Sequence, residues 1–390
     1  MIDLDANATT AILPEVLDEM LPWLCGGYAN PSGAYGGAKL ARKAIDQARQ
    51  QVAQLIGADA SEIIFTGSGT ESVNTALHSL DFLTGEGAAV VSAIEHSAVL
   101  RCVENFSRPV DKVAVKANGR VDLDALENAL ERAAYVSIMA ANNETGVIQP
   151  IAEIAAMARE KGLAIHTDAI QAAGKMPINV REWCVDLLSL SAHKLHGPKG
   201  VGALYVREGL RFSPLMHGGG QESGRRSGTE NTAGIVAMGA AAACASRFLT
   251  DGGAARLGEL RDAFEAEVLR EISGVTVNGD RDQRLPNTSH LSFEQCDAAG
   301  LLILLDDMGV ACSAGSACMT GKQRPSHVQL AMGISEARAK SSLRLSFSRL
   351  NTRAEALTAA HLVKRAVEKL RRVQGAGVGP VAIYTAVREA

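Results

Sequence analysis

Apolar residues recur every three to four positions between residues 38 and 56, with Ala41, Ala44, Ala48, Val52 and Leu55 on one face. The spacing predicts an amphipathic helix that leaves Arg42, Lys43 and Arg49 to solvent and stops at Gly57. The pattern then shortens. Residues 62–66 read as a strand that runs into a turn at 67–72 and a helix through Leu80. Strand-like runs follow at 88–92, 110–115, 135–140, 163–167, 186–191 and 201–206, and the last pairs beside its neighbour. Helix-like stretches lie among them at 97–106, 123–132 and 151–161. This alternation predicts an α/β fold with a largely parallel sheet and helices on both faces. An alanine-rich helix at 232–249, with one internal glycine at Gly239, leads to a hinge at 251–256. Beyond it the order changes to an α+β pattern, with helices at 256–271, 297–308 and 353–370 around strands at 275–278, 288–293 and 342–347.

Composition narrows this picture. A chain of 390 residues that is 47% hydrophobic can bury a sizeable core, and suits two domains sharing one site. A net charge of −4 argues against a general nucleic-acid binder, so no direct nucleic-acid binding is expected. The apolar runs are interrupted short of a membrane span, and the acidic start, with Asp3 and Asp5, carries no legible secretory leader. Seven cysteines, odd in number and widely spaced, suit a reduced, cytoplasmic setting better than a disulfide framework. Asn-x-Ser/Thr sites such as those at Asn7, Asn143 and Asn287 then read as accidental.

Candidate chemistry gathers at predicted strand ends, where open α/β sheets bind ligands. Gly67, Gly69 and the hydroxyls of Ser68, Thr70 and Ser72 suit a phosphate cup at a helix start, or an ordinary strand–helix turn. Asp168, in His166-Thr167-Asp168-Ala169-Ile170-Gln171, suits a protonated ring nitrogen, a metal or a helix cap. Lys194, in Ser191-Ala192-His193-Lys194, suits an aldehyde cofactor if its pKa is lowered, or a solvated basic turn. His193 and His196 are zinc-type residues without a suitably spaced thiolate pair, so no metal site is expected. His96 follows another strand end and can stack on a flat ring or move protons. A phosphate cup, an acid and an amine together make the three handles of pyridoxal phosphate.

With these residues in view, the chain resembles the cysteine desulfurases of the NifS/IscS type, among the class V, fold-type I pyridoxal-phosphate enzymes. The motifs run in the family's order: Asn30-Pro31-Ser32, TGSGTES from Thr66, EHSAV from Glu95, NNETG from Asn142, HTDAIQ from His166, SAHKLHGPKG from Ser191, GGGQESGRRSGTEN from Gly218 and GSACMTG from Gly315. The resemblance implies a large domain, residues 15–250, with a mostly parallel seven-stranded sheet. It implies a smaller α+β domain, from 1–14 and 251–390, carrying a catalytic cysteine loop.

The same resemblance assigns roles. Lys194 resembles the lysine that holds the cofactor as a Schiff base, His96 the ring-stacking histidine, Asp168 the partner of the pyridine nitrogen, and Gln171 the contact to the phenolic oxygen. Gly69, Thr70, Ser191 and His193 resemble the phosphate set. Thr229 resembles a threonine that reaches the phosphate of a partner subunit, which implies a homodimer. Asn30, Asn143 and Arg344 resemble the groups orienting L-cysteine, with Arg344 on its carboxylate. Cys318 resembles the cysteine that takes the sulfur as a persulfide, whereas Cys312 lacks the motif. The expected product is L-alanine. The expected sulfur acceptor is an iron–sulfur scaffold protein, in housekeeping or nitrogen-fixation cluster assembly. A selenocysteine lyase, or another enzyme of the same class, is the alternative. Two places depart from the family: Ala6 stands where asparagine is usual, and residues 319–325 add positive charge after Cys318.

Overall fold

The computed structural model describes residues 1–314 and 325–375, and side chains through 373. Its larger sheet has seven strands. In spatial order these are Ile63–Thr66, Gly202–Val206, Leu187–Ser191, Ala164–Asp168, Ala133–Ser137, Ala88–Ser92 and Val110–Val113. Gly202–Val206 runs antiparallel to both neighbours, and every other pairing is parallel. Six strands therefore point one way, and their carboxyl ends share one edge. The central strands Leu187–Ser191 and Gly202–Val206 are buried along their whole length, as expected where helices cover both faces. His166, inside the sheet, is satisfied by Ser137 Oγ at 2.8 Å and Ser189 Oγ at 2.9 Å.

A second, four-stranded antiparallel sheet is ordered Ser313–Ala314, Ser342–Ser346, Thr288–Phe293 and Val275–Val277. It has its own apolar core, in which Leu4 packs with residues from Leu257 to Leu370. The N-terminal segment joins this half by pairing Ile2–Asp3 in parallel with Val310–Ala311.

Helix Gly36–Ile56 ends at Gly57, whose φ of +68° is a conformation glycine adopts without strain. Arg49 is not in solvent: it forms a two-pronged pair with buried Glu222, at 2.6 and 2.8 Å. Periodicity misplaces it because its partner lies 173 residues away. Helix Pro14–Cys25 is unassigned by the sequence pattern, for good reason: it contains Pro22 and buries only Val16. The strand expected at 135–140 forms two residues earlier, as Ala133–Ser137. The hinge expected at 251–256 is confined to Asp251 and Gly252, because a helix resumes at Gly253. Helix Thr232–Thr250 is long and apolar enough to cross a membrane, yet it is largely buried within the chain.

Gly239 sits where that helix crosses Gly36–Ile56. A Cβ there would lie 2.5 Å from Ala48 Cα and 2.6 Å from its Cβ. Alanine would gain about 1 kcal/mol of helix propensity, but overpacking against a backbone costs about 1–3 kcal/mol. Gly239→Ala is therefore expected to lose up to about 2 kcal/mol net, seen as a lower urea midpoint. A raised midpoint would show that the crossing can widen freely.

Candidate active site

One cavity of about 400 Å³ opens where the carboxyl ends of five co-directed strands, all but Val110–Val113, meet the smaller sheet. Each of these ends delivers a different group. Thr66 leads to Ser68, which caps helix Gly69–Leu83 by accepting from Glu71 N–H at 3.1 Å. The Glu71 carboxylate turns back to accept from Gly67 N–H at 2.7 Å and is held by Arg226 at 2.8 Å. Gly69 and Thr70, the helix's first two N–H donors, line the cavity. Gly69 must lack a side chain, since a Cβ would come within 2.5 Å of Ile170 and 3.0 Å of Ser191.

His96 accepts from Ala98 N–H through Nδ1 at 3.1 Å, so its neutral ring carries the proton on Nε2. Burial, then Lys194 and His327, lower its pKa and favour that neutral ring. Just before it, Glu95 is fully buried and pushed up to about 8, mainly by burial. Asp168 ends its strand with Oδ1 accepting from Ile170 N–H at 2.9 Å. Burial lifts its pKa to about 6, against the pull of the same N–H and of Lys194. Such a carboxyl gains by pairing with a cation. Ser191 ends the neighbouring strand and His193 lies in the turn after it, where burial holds His193 near 4.

Lys194 Nζ donates to the carbonyl oxygens of Asn7 and Ala8, the latter at 2.7 Å. Burial lowers its pKa to about 8, helped by Arg344 and opposed by Asp5 and Asp168. The smaller sheet supplies Arg344, which donates to Asn143 O at 3.0 Å and Asp5 Oδ1 at 2.8 Å. Its Nε is buried without a partner in the described structure, a free donor beside a cavity.

The structure thus gathers Gly69, Thr70, His96, Asn143, Asp168, Gln171, Ser191, His193, Lys194 and Arg344 around one space. Asn30 and Thr229 are exposed and do not line it. Cys318 lies outside the described residues. Cys312 is described, and burial followed by Asp5 pushes its thiol up to about 12. Sequence reasoning missed Asp5 and Asn7 at the site. Their segment, Asp5-Ala6-Asn7-Ala8-Thr9-Thr10, carried the signal as a motif but offered no role.

A pyridoxal-phosphate-type ligand fits this donor set. The cup offers N–H groups to an anion, Asp168 offers a buried carboxyl to a ring nitrogen, and Lys194 offers an amine that sheds its proton easily. The free Arg344 Nε suits a second anion.

The aminotransferase class-V family matches residues 2–357. A cysteine desulfurase of Gluconacetobacter diazotrophicus is 44% identical, over 95% of this chain and 94% of its own. Among solved structures, a NifS-like protein superposes with a TM-score of 0.88 at 34% identity, covering 94% of this chain and 99% of its own. SspA in complex with cysteine gives 0.78 at 35% identity, covering 90% and 100%.

In the ligand-free protein, Lys194 is expected to react with acetic anhydride along a titration centred near 8, against about 10.4 for an ordinary lysine. Peptide mass spectrometry reads the extent. Removing the cation in Arg344→Met should raise that midpoint, and removing the anion in Asp168→Asn should lower it. Shifts of the same sign would refute the charge assignment.

Proposed function

From the premise that the chain belongs to the class-V aminotransferase family, and within it to the NifS/IscS-type cysteine desulfurases, we propose how its own residues convert L-cysteine to L-alanine and pass the sulfur on. The observation that carries this reading is the meeting of Lys194, Asp168 and Arg344 in one cavity. Pyridoxal phosphate, when bound, supplies an aldehyde for amines and an electron sink for the substrate carbon.

Gly69 and Thr70, with Ser191 and His193, hold the phosphate. Asp168 would face the ring nitrogen, His96 the ring and Gln171 the phenolic oxygen. Lys194 Nζ would hold the aldehyde, and its amine would serve as the base for the substrate Cα proton. A pKa near 8 leaves an appreciable neutral fraction for that step. Arg344 binds the substrate carboxylate, and Asn143 and Asn30 help orient it.

Cys318 then takes the sulfur. Its thiolate attacks the substrate sulfur, an S–S bond forms as the C–S bond breaks, and the released electron pair stays with the carbon, which is protonated to alanine. Elimination supports this choice. None of the six described cysteines lines the cavity. The nearest in sequence, Cys312, is held well above the ordinary thiol range by burial and Asp5, which disfavours the thiolate.

Two copies make the working enzyme. Leu17, Leu21, Leu24, Tyr28, Tyr35 and Leu40 form an exposed apolar run around Asn30, which suits burial by a second copy. Thr229, exposed on the loop anchored by the Arg49–Glu222 pair, serves the partner's phosphate in this reading. Residues 15–250 form the large domain, and 1–14 with 251–390 the small one, consistent with Leu4 packing in the second core. The enzyme acts in the cytoplasm and hands sulfur to an iron–sulfur scaffold protein.

Wild type, Lys194→Ala, Cys318→Ala and Cys312→Ser separate the roles. Lys194→Ala is expected to lose alanine formation by at least about 10²–10⁴-fold and to form no borohydride-reducible link at residue 194. Cys318→Ala should keep that link and lose enzyme-bound sulfur, while Cys312→Ser stays near wild type. Persulfide found on Cys312, and none on Cys318, would overturn the assignment.

A further inference from the structure

Lys175 has no part in the steps above, yet it is buried beside them at 6% exposure. Its Nζ donates to Gln171 Oε1 at 2.7 Å and to Asn7 Oδ1 at 3.2 Å. Burial, with Lys194 and Arg344 nearby, drives its pKa well below the usual lysine range. His193 and His196 also feel its charge. Two neutral oxygen acceptors, Gln171 Oε1 and Asn7 Oδ1, therefore hold its Nζ.

These contacts settle which way the Gln171 amide points. Its Nε2 donates to Asn7 O at 2.9 Å, and a peptide oxygen can only accept, so nitrogen must face Asn7. Oxygen then faces Lys175. One N–H of Nε2 is thereby spent on Asn7, and the second is left for the cavity that Gln171 lines. Asn7 is itself fixed, since its Oδ1 also accepts from Asn287 at 3.0 Å and its Nδ2 donates to Thr288 at 2.9 Å.

We propose that Lys175 is a positioning residue that locks the Gln171 amide so that a donor, never the carbonyl oxygen, is presented to the oxygen on the cofactor ring. This rests on the cavity being the pyridoxal-phosphate site. Without Lys175, Gln171 Oε1 would be a buried acceptor left unmade, and only Asn7 O would still hold the amide, which could then swing its oxygen toward another donor. An amide that swings about Asn7 O no longer aims its second N–H at the cavity. A ring oxygen that has lost its donor is more basic and holds the neighbouring proton to higher pH.

The test is the pH titration of the visible absorption band in cofactor-loaded wild type, Lys175→Met, Gln171→Leu and the double variant. Each single variant is expected to raise the midpoint by about 0.5–1 pH unit, and the double variant should rise no further than Gln171→Leu alone. Lys175→Gln, whose amide falls one atom short of both acceptors, should match Lys175→Met and covers the case where Met fails to fold. A wild-type midpoint in the foldable Lys175 variants would overturn the proposal, as would additive shifts in the double variant, which would mean that Lys175 acts by charge alone. A wild type with no visible band would instead sink the cofactor reading on which the proposal rests.

Discussion

Asn7 O accepts from both Lys194 and Gln171, while the Asn7 side chain bonds Thr288, Asn287 and Lys175. One residue of the N-terminal segment thereby ties the ends of the parallel strands to the antiparallel sheet. Its own N–H completes the tie by donating to Ser346 Oγ at 2.9 Å. The neighbours extend the seam: Thr10 N–H and hydroxyl both donate to His193 O at 3.0 Å, and Thr10 Oγ1 accepts from His196 N–H at 2.8 Å. The turn bearing Lys194 is thus clamped from outside the sheet. Such a clamp is needed because the strands alone fix only where the turn begins. A largely buried polar seam is costly if any bond is missing, so it favours one relative placement of Lys194 and Arg344 over all others. The site follows from that placement.

What the sequence made legible divides along the same line. Alternating apolar runs and helical periods are local, and they located most strands, the helices at 36–56 and 232–250, and the strand-end positions of His96, Asp168 and Lys194. Arg49 was misread because Glu222 is remote in sequence, and helix Pro14–Cys25 was passed over because it buries so little within one chain. Apart from the family resemblance, Asn7, Asn143 and Asn287 drew notice only as glycosylation patterns. In the fold, Asn7 and Asn287 are buried and bonded to each other, and Asn143 O receives Arg344. No short pattern could show this, since their partners lie more than 130 positions away. Family resemblance supplied roles for Asn143 and Arg344 that periodicity could not. It supplied none for Lys175, which reads in sequence as one more lysine after a glycine.

Two buried lysines illustrate why residue type alone is a poor guide to chemistry. Lys194 and Lys175 share Asn7 as a partner, and burial lowers both pKa values. They differ in what opposes that burial. Lys194 faces Asp5 and Asp168, which pull it back to about 8, so it can carry or release a proton at ordinary pH. Lys175 has only cations among its charged neighbours, Lys194 and Arg344, and no carboxylate restores its charge. The same geometry therefore makes one amine a proton carrier beside the cavity and the other a donor behind it whose charge burial disfavours. Exchanging their environments, rather than their side chains, would exchange those roles: a carboxylate placed against Lys175 would charge it, and by repulsion push Lys194 still lower.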